Sequence, residues 1–143
     1  MNIRPFAIAD QDAVIQIWQA CGLVTSWNDP EKDIARKVKV NPELFLVAER
    51  DGLVIGTIMG GYDGHRGWIN YLAVTPDAQG HKIGEQLIKI TEQKLLALGC
   101  PKVNLQIRST NTQMIEYYRK LGYLEDHAVG MGKRLIPDNN LNP

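Results

Sequence analysis

The chain predicts an α/β or α+β fold, a central sheet with helices on its faces. Three observations predict it. Leu44–Glu49 and Leu53–Tyr62 read as strands joined by the hairpin turn Asp51-Gly52. Apolar residues recur at i, i+3, i+4, i+7 in two further stretches, at Val14, Ile17, Trp18, Cys21 and at Met114, Tyr117, Tyr118, Leu121. Strand and helix signals alternate along the chain as β-α-α-β-β-β-α-β-α-β-β. The 143 residues fit one domain, residues 1–136, followed by a polar tail, residues 137–143.

Each element has a local cause. Ile3–Ala7 reads as a short first strand. Asp10 suits the start of the first helix and Gly22 ends it. Pro30 opens a second helix that runs to about Val40, where Asn41-Pro42 breaks it. Asp63–Gly67 is a turn, and Trp68–Val74 is a strand closed by Pro76, which cannot donate to a ladder. A helix from Ile83 carries Leu87, Ile90, Ala97 and Leu98 on one face and stops at Gly99. Lys102–Arg108 alternates like a strand. Asn111 is a good cap for the last helix, and Gly122 stops it. Tyr123–Leu135 is expected to form a final hairpin turning near Asp126-His127, and the tail after it is expected to fray.

Charge excludes several functions. Lys plus Arg and Asp plus Glu each total 16, so no global basic field attracts nucleic acid or an anionic membrane. An anionic ligand must therefore be held by local geometry. Cys21 and Cys100 lie in no Cys-x-x-Cys or Cys/His cluster, so neither a metal site nor a redox dithiol is expected. No run reaches the length of a membrane span, and the start lacks a basic segment followed by an apolar one. The expectation is a soluble, cytoplasmic protein.

The most informative stretch is Gln79-Gly80-His81-Lys82-Ile83-Gly84, between a strand and a helix. The first N–H groups of a helix have no intrahelical partner and lie at the positive end of its dipole. Small residues at Gly80 and Gly84 let a phosphate approach them, with His81 and Lys82 adding charge. The stretch is neither the P-loop pattern nor the dinucleotide Gly-x-Gly-x-x-Gly. An ordinary strand-to-helix loop with two glycines would look the same in isolation.

Its surroundings are more specific. Asn70–Ile88, with Val74-Thr75-Pro76 ahead of the turn, resembles the central motif of the GNAT (Gcn5-related N-acetyltransferase) superfamily, Gln/Arg-x-x-Gly-x-Gly/Ala. Gln79 and Gly84 match its ends, while Lys82 replaces the middle glycine. Downstream, Asn111–Tyr123 resembles the family's Asn-x-x-Ala-x-x-Leu/Phe-Tyr-x-x-x-Gly-Phe, with Met114 in the alanine position. The resemblance spans nearly the whole chain. Trp27-Asn28-Asp29-Pro30 and Gly60–Gly67 are similar to segments of small bacterial members.

The resemblance implies a mixed, mostly antiparallel central sheet with helices on both faces. It implies an N-acetyltransferase that moves an acetyl group from acetyl-CoA to a primary amine by direct attack in a ternary complex, without a metal. Gln79, Gly80, His81, Lys82, Ile83 and Gly84 would then hold the pyrophosphate. Leu72, Ala73 and Val74 would pair with the pantetheine amides like an added strand. Asn111 would bond the same arm. Tyr118 matches the family's tyrosine and would protonate the leaving thiolate; at the same spacing it also reads as a core aromatic. Trp68-Ile69-Asn70-Tyr71 lacks the carboxylate that many relatives use as the amine's base, so Asp63, His65 and Tyr71 are candidates to organise a water relay. Trp27 is a candidate for stacking on a cationic amine. The alternative function is a non-catalytic acyl-CoA binding or sensing module. The last hairpin would offer an edge for a possible homodimer.

Overall fold

The structure, a computed structural model, describes residues 1–138. Its strands are β1 (Asn2–Pro5), β2 (Phe45–Arg50), β3 (Leu53–Tyr62), β4 (Gly67–Val74) and β5 (Val103–Asn104). Its helices are α1 (Gln11–Ala20), α2 (Pro30–Lys37), α3 (Ile83–Ala97) and α4 (Thr112–Lys120). The sheet order is β1-β2-β3-β4-β5. The first four strands run antiparallel, and β5 joins β4 in parallel. This is the mixed, mostly antiparallel sheet expected.

Strand β2 shows why helices cover both faces. Period-2 alternation sends Phe45 and Val47 to one side and Leu46 and Ala48 to the other. Phe45 and Val47 pack with Val14, Ile17 and Trp18 of α1 and Ile34 of α2. Leu46 and Ala48 pack with Ile83, Leu87 and Ile88 of α3 and Tyr118 of α4. The β2–β3 turn has positive φ at both Asp51 and Gly52, the backbone that a tight hairpin needs.

An ion pair ties β1 to the start of α1. The Arg4 guanidinium forks onto the buried Asp10 carboxylate at 2.7 and 2.9 Å, and Ala7 N–H donates to the same carboxylate at 2.8 Å. The Arg4 bonds hold the Asp10 carboxyl below its ordinary range, against the opposing effect of burial. A carboxylate with a depressed folded pKa stabilises fully above its unfolded pKa of ~3.9, and that contribution disappears as pH falls through the folded value. Asp10→Asn is expected to cost about 1–2 kcal/mol at neutral pH, allowing for screening at the solvent-reaching Arg4. Urea unfolding at a series of pH values measures this, and the gap between wild type and variant should close below about pH 4.

Three expectations are corrected. The strand expected over Lys102–Arg108 is only Val103–Asn104, because it pairs with β4 at two positions, Gly67 with Val103 and Trp68 with Asn104. The final hairpin over Tyr123–Leu135 does not form; no strand follows α4 among the described residues. Gly130 and Gly132 give that segment little side chain to pack, and an isolated hairpin is marginal without a third strand. Leu124, Val129 and Met131 are each more than 80% exposed. The tail also departs from a frayed end at its first residues, since the Asp138 side chain is buried on Arg36. Residues 139–143 lie outside the described residues.

Candidate active site

The centre of the site is a bulge in β4. Thr57 pairs with Ala73 and Met59 with Asn70, so Ile58 alone faces both Tyr71 and Leu72. Tyr71 takes φ 51°, a left-handed conformation that is costly for an aromatic residue, on the order of 1–3 kcal/mol. Four side chains offset that cost. The Tyr71 ring stacks on Trp18 with centroids 3.9 Å apart. Thr57 Oγ1 donates to the Tyr71 carbonyl at 2.9 Å, and Trp18 Nε1 donates to Thr57 Oγ1 at 2.9 Å. The Tyr71 hydroxyl donates to Asp33 Oδ2 at 2.5 Å and accepts from Asn28 Nδ2 at 2.7 Å. Burial, and then the neighbouring Asp33 carboxylate, push the Tyr71 phenol well above its ordinary pKa, so it is a neutral donor.

Beyond the bulge β4 has an open edge. Its ladder to β5 ends at Trp68, and from Ile69 to Val74 no strand lies alongside on that side among the described residues. Leu105 and Ile107 continue past β5 and pack in the cluster that holds Leu72, Val74 and Tyr118. Leu72, Ala73 and Val74 thus lie on a strand segment that has no partner strand on that side among the described residues.

From β4 the chain leads to the start of α3. After a short turn at Pro76–Ala78, Gly80 takes φ 87° and Lys82 takes φ 60°. Lys82 stands where the motif has glycine, and it adopts the positive φ that glycine would take freely. No side chain caps α3, whereas Asp29 caps α2 and Asn111 caps α4. The first N–H groups of α3 therefore have no side-chain acceptor. Gln79 turns back, its Nε2 donating to the Val74 carbonyl at 3.0 Å. Gly84 serves close packing: a Cβ there would lie 2.9 Å from Tyr117 Oη. His81 and Lys82 are exposed beside the turn, and Ile83 is buried under it.

Helix α4 places Tyr118 on the same side. Asn111 Oδ1 accepts from Met114 N–H at 3.3 Å, so its acceptor atom is engaged in capping. The Tyr118 ring packs edge-on against Tyr117 and Tyr123, at 5.4 and 5.5 Å. Its hydroxyl has no protein partner among the described residues and is not sealed in the core. Burial, with a smaller contribution from Tyr117, pushes its pKa well above the ordinary phenol value, keeping the proton on oxygen.

A cavity of about 590 Å³ lies on the α1/α2 side of the bulge, lined by residues that include Asp33, Arg36, Lys37, Met59, Asn70 and Tyr71. Its volume suits a small molecule. Lys37 donates to the Gly60 carbonyl, and burial lowers its pKa. Of the acceptor candidates, only Tyr71 lines this cavity. Trp27 lies on the α1–α2 loop, where the Arg108 guanidinium stacks 5.1 Å above its ring, so that face already holds a cation. Asp63 and His65 sit in the β3–β4 turn, at the far end of β4 from the bulge. Asp63 accepts from the N–H groups of His65 and Arg66 and from Trp68 Nε1, which together hold its carboxyl below the ordinary range. The structure thus gives Asp63 the work of shaping a turn.

The sequence reading missed Asp33, Thr57 and the polar role of Trp18. Asp33 reads as an ordinary acidic residue in a helix's first turn, and Thr57 as one position in an apolar strand. No local pattern links them to Tyr71, which is 38 residues from Asp33.

Comparisons with known proteins give the family. Residues 12–123 match the model of the acetyltransferase (GNAT) family. The chain belongs to that family. An acetyltransferase from Sodalis glossinidius is 52% identical over 139 residues, covering 96% of this chain and 98% of that one. Among solved structures, Ard1 from Thermoplasma volcanium superposes with a TM-score of 0.77 at 26% identity, covering 86% of this chain and 82% of its own. Naa20 from Chaetomium thermophilum, solved with a bisubstrate analogue, gives 0.68 at 26% identity, with 85% and 70% covered. The protein is an acetyltransferase of the GNAT family, with that family's fold. The bulge, the open edge of β4 and the uncapped start of α3 follow one another along the chain. Among the described residues no helix is long and apolar enough to cross a membrane.

Proposed function

We propose that this GNAT protein transfers an acetyl group from acetyl-CoA to a primary amine by direct attack in a ternary complex. The observation that carries the reading is the parting of β4 from β5 after Trp68, beside the uncapped start of α3. A pantetheine arm lies along Leu72, Ala73 and Val74 as an added strand. The pyrophosphate meets the N–H groups at Gly80–Gly84, flanked by Gln79, His81 and Lys82, and Asn111 borders the arm from α4.

The amine enters from the cavity on the opposite side of the bulge. It loses its proton through water toward the Asp33 carboxylate, which Tyr71 orients. Its nitrogen attacks the thioester carbonyl, whose growing negative charge is met by backbone N–H at the bulge. The C–S bond breaks, and Tyr118 gives its proton to the departing sulfur. Asp33 on α2 thus supplies the carboxylate that β4 lacks. In this reading residues 1–136 are one catalytic unit, acting in the cytoplasm on a small amine, with neither nucleic acid nor membrane as partner.

Initial rates over a grid of acetyl-CoA and amine concentrations test the reading. Direct attack predicts intersecting double-reciprocal lines. Parallel lines would mean an acetyl-enzyme intermediate instead, and CoA binding without thiol release would favour a non-catalytic acyl-CoA module.

A further inference from the structure

Arg36 faces two cavities. One is the cavity beside Tyr71; the other, about 600 Å³, is lined by Arg36 together with Gly132–Ile136. Between them the guanidinium grips a carboxylate of the same chain. Arg36 Nη1 and Nη2 donate to the two Asp138 oxygens at 3.0 and 2.5 Å. Arg134 Nη1 lies 3.4 Å from Asp138 Oδ2, and Lys32 Nζ donates to the Asp138 carbonyl at 3.3 Å. Three cations from two distant segments thus converge on one residue, whose side chain is only 1% exposed.

Among the described residues, the segment leading to Asp138 has little apolar anchoring. Leu135 is 85% and Ile136 60% exposed, so apolar packing does not anchor the segment. A carboxylate held by three cations, on a segment with little apolar anchoring before it, is exchangeable for another carboxylate. The forked geometry at Arg36 is the one guanidinium offers to any carboxylate. Arg36 is also one helical turn from Asp33, with its Nη1 3.5 Å from Asp33 Oδ1. The place where the amine loses its proton and the place that grips a carboxylate are therefore only about 5 Å apart along α2.

We propose that Arg36, supported by Lys32 and Arg134, is the carboxylate-binding end of the acceptor site. The acceptor is a small amine that carries a carboxylate close to its nitrogen, and Asp138 occupies that place in the free protein. This rests on the acetyl-transfer reading above and names its substrate class. The chain's own carboxylate competes at the high effective concentration of a tethered group, so it sets a threshold that the acceptor must exceed.

Matched acceptor pairs test it, each an amino acid and its carboxamide, with wild type, Asp138→Asn, Arg36→Gln and Arg36→Lys. Wild type is expected to prefer the carboxylate. Asp138→Asn should raise the carboxylate-to-carboxamide ratio of kcat/KM by about tenfold, since a charge-assisted pair no longer competes. Arg36→Gln should bring the ratio near one, and Arg36→Lys should restore part of it. A wild-type ratio of one, or an Asp138→Asn effect equal on both members of each pair, overturns the proposal. Calorimetric titration of the same amino acids without acetyl-CoA separates the two readings. Tighter binding of the carboxylate to Asp138→Asn than to wild type, in a protein that transfers no acetyl group, would sink the transfer reading and keep Arg36 only as a carboxylate site, not as part of an acceptor site. Equal binding to both would sink this one.

Discussion

Gly80→Pro is expected to abolish most acetyl-CoA binding while leaving the fold in place. Gly80 has φ 87°, and proline holds φ near −65°, so the turn cannot keep its path. The substitution also removes a backbone N–H from the group of donors that would face the pyrophosphate. A charge-assisted hydrogen bond is worth about 1.5–3 kcal/mol, so losing one and misplacing its neighbours should weaken binding by about a hundredfold or more. A Cβ at this position would touch nothing within 4 Å, so the strain falls on the backbone of the turn and not on a side-chain clash. Calorimetry with acetyl-CoA reads the affinity, and thermal unfolding checks that the protein remains folded. Retained affinity in a folded variant would place the pyrophosphate elsewhere.

Tyr118→Phe should lower kcat by about a hundredfold and leave acetyl-CoA affinity nearly unchanged. The ring's packing between Tyr117 and Tyr123 survives in phenylalanine, and the hydroxyl has no protein partner to lose among the described residues. The change therefore removes a proton and little else. A buried phenol held well above its ordinary pKa gives up that proton only as charge builds on sulfur, so the loss should appear in turnover. Stopped assays at saturating acetyl-CoA measure it, and an unchanged kcat would remove Tyr118 from the acid role.

Much of the fold was legible because it is local. The Asp51-Gly52 turn needs two positive φ values, and that pair of residues supplies them. Asp29 and Asn111 cap helices where their spacing says they should. The turn before α3 and the cap of α4 were legible for the same reason, since both are short-range features. The bulge was not. Nothing adjacent to Tyr71 demands a left-handed conformation; it is held by Trp18, Thr57, Asn28 and Asp33, which come from three other segments. The sequence offers Asp63, His65 and Tyr71 to organise a water relay in place of the carboxylate that β4 lacks. Of these, Tyr71 meets Asp33 of α2, through a contact that no spacing rule encodes. The expected final hairpin failed for a related reason, since alternating residues make a strand only where an edge is available to pair with.

The central claim is acetyl transfer from acetyl-CoA to an amine, and thiol release tests it most directly. The wild-type chain is mixed with acetyl-CoA and a broad amine panel, free CoA is followed with a thiol reagent, and the product amine is weighed by mass spectrometry. The account predicts release that depends on at least one amine, with one acetyl group gained on nitrogen for each CoA freed. Tight acetyl-CoA binding with no amine-dependent release across the panel would contradict it.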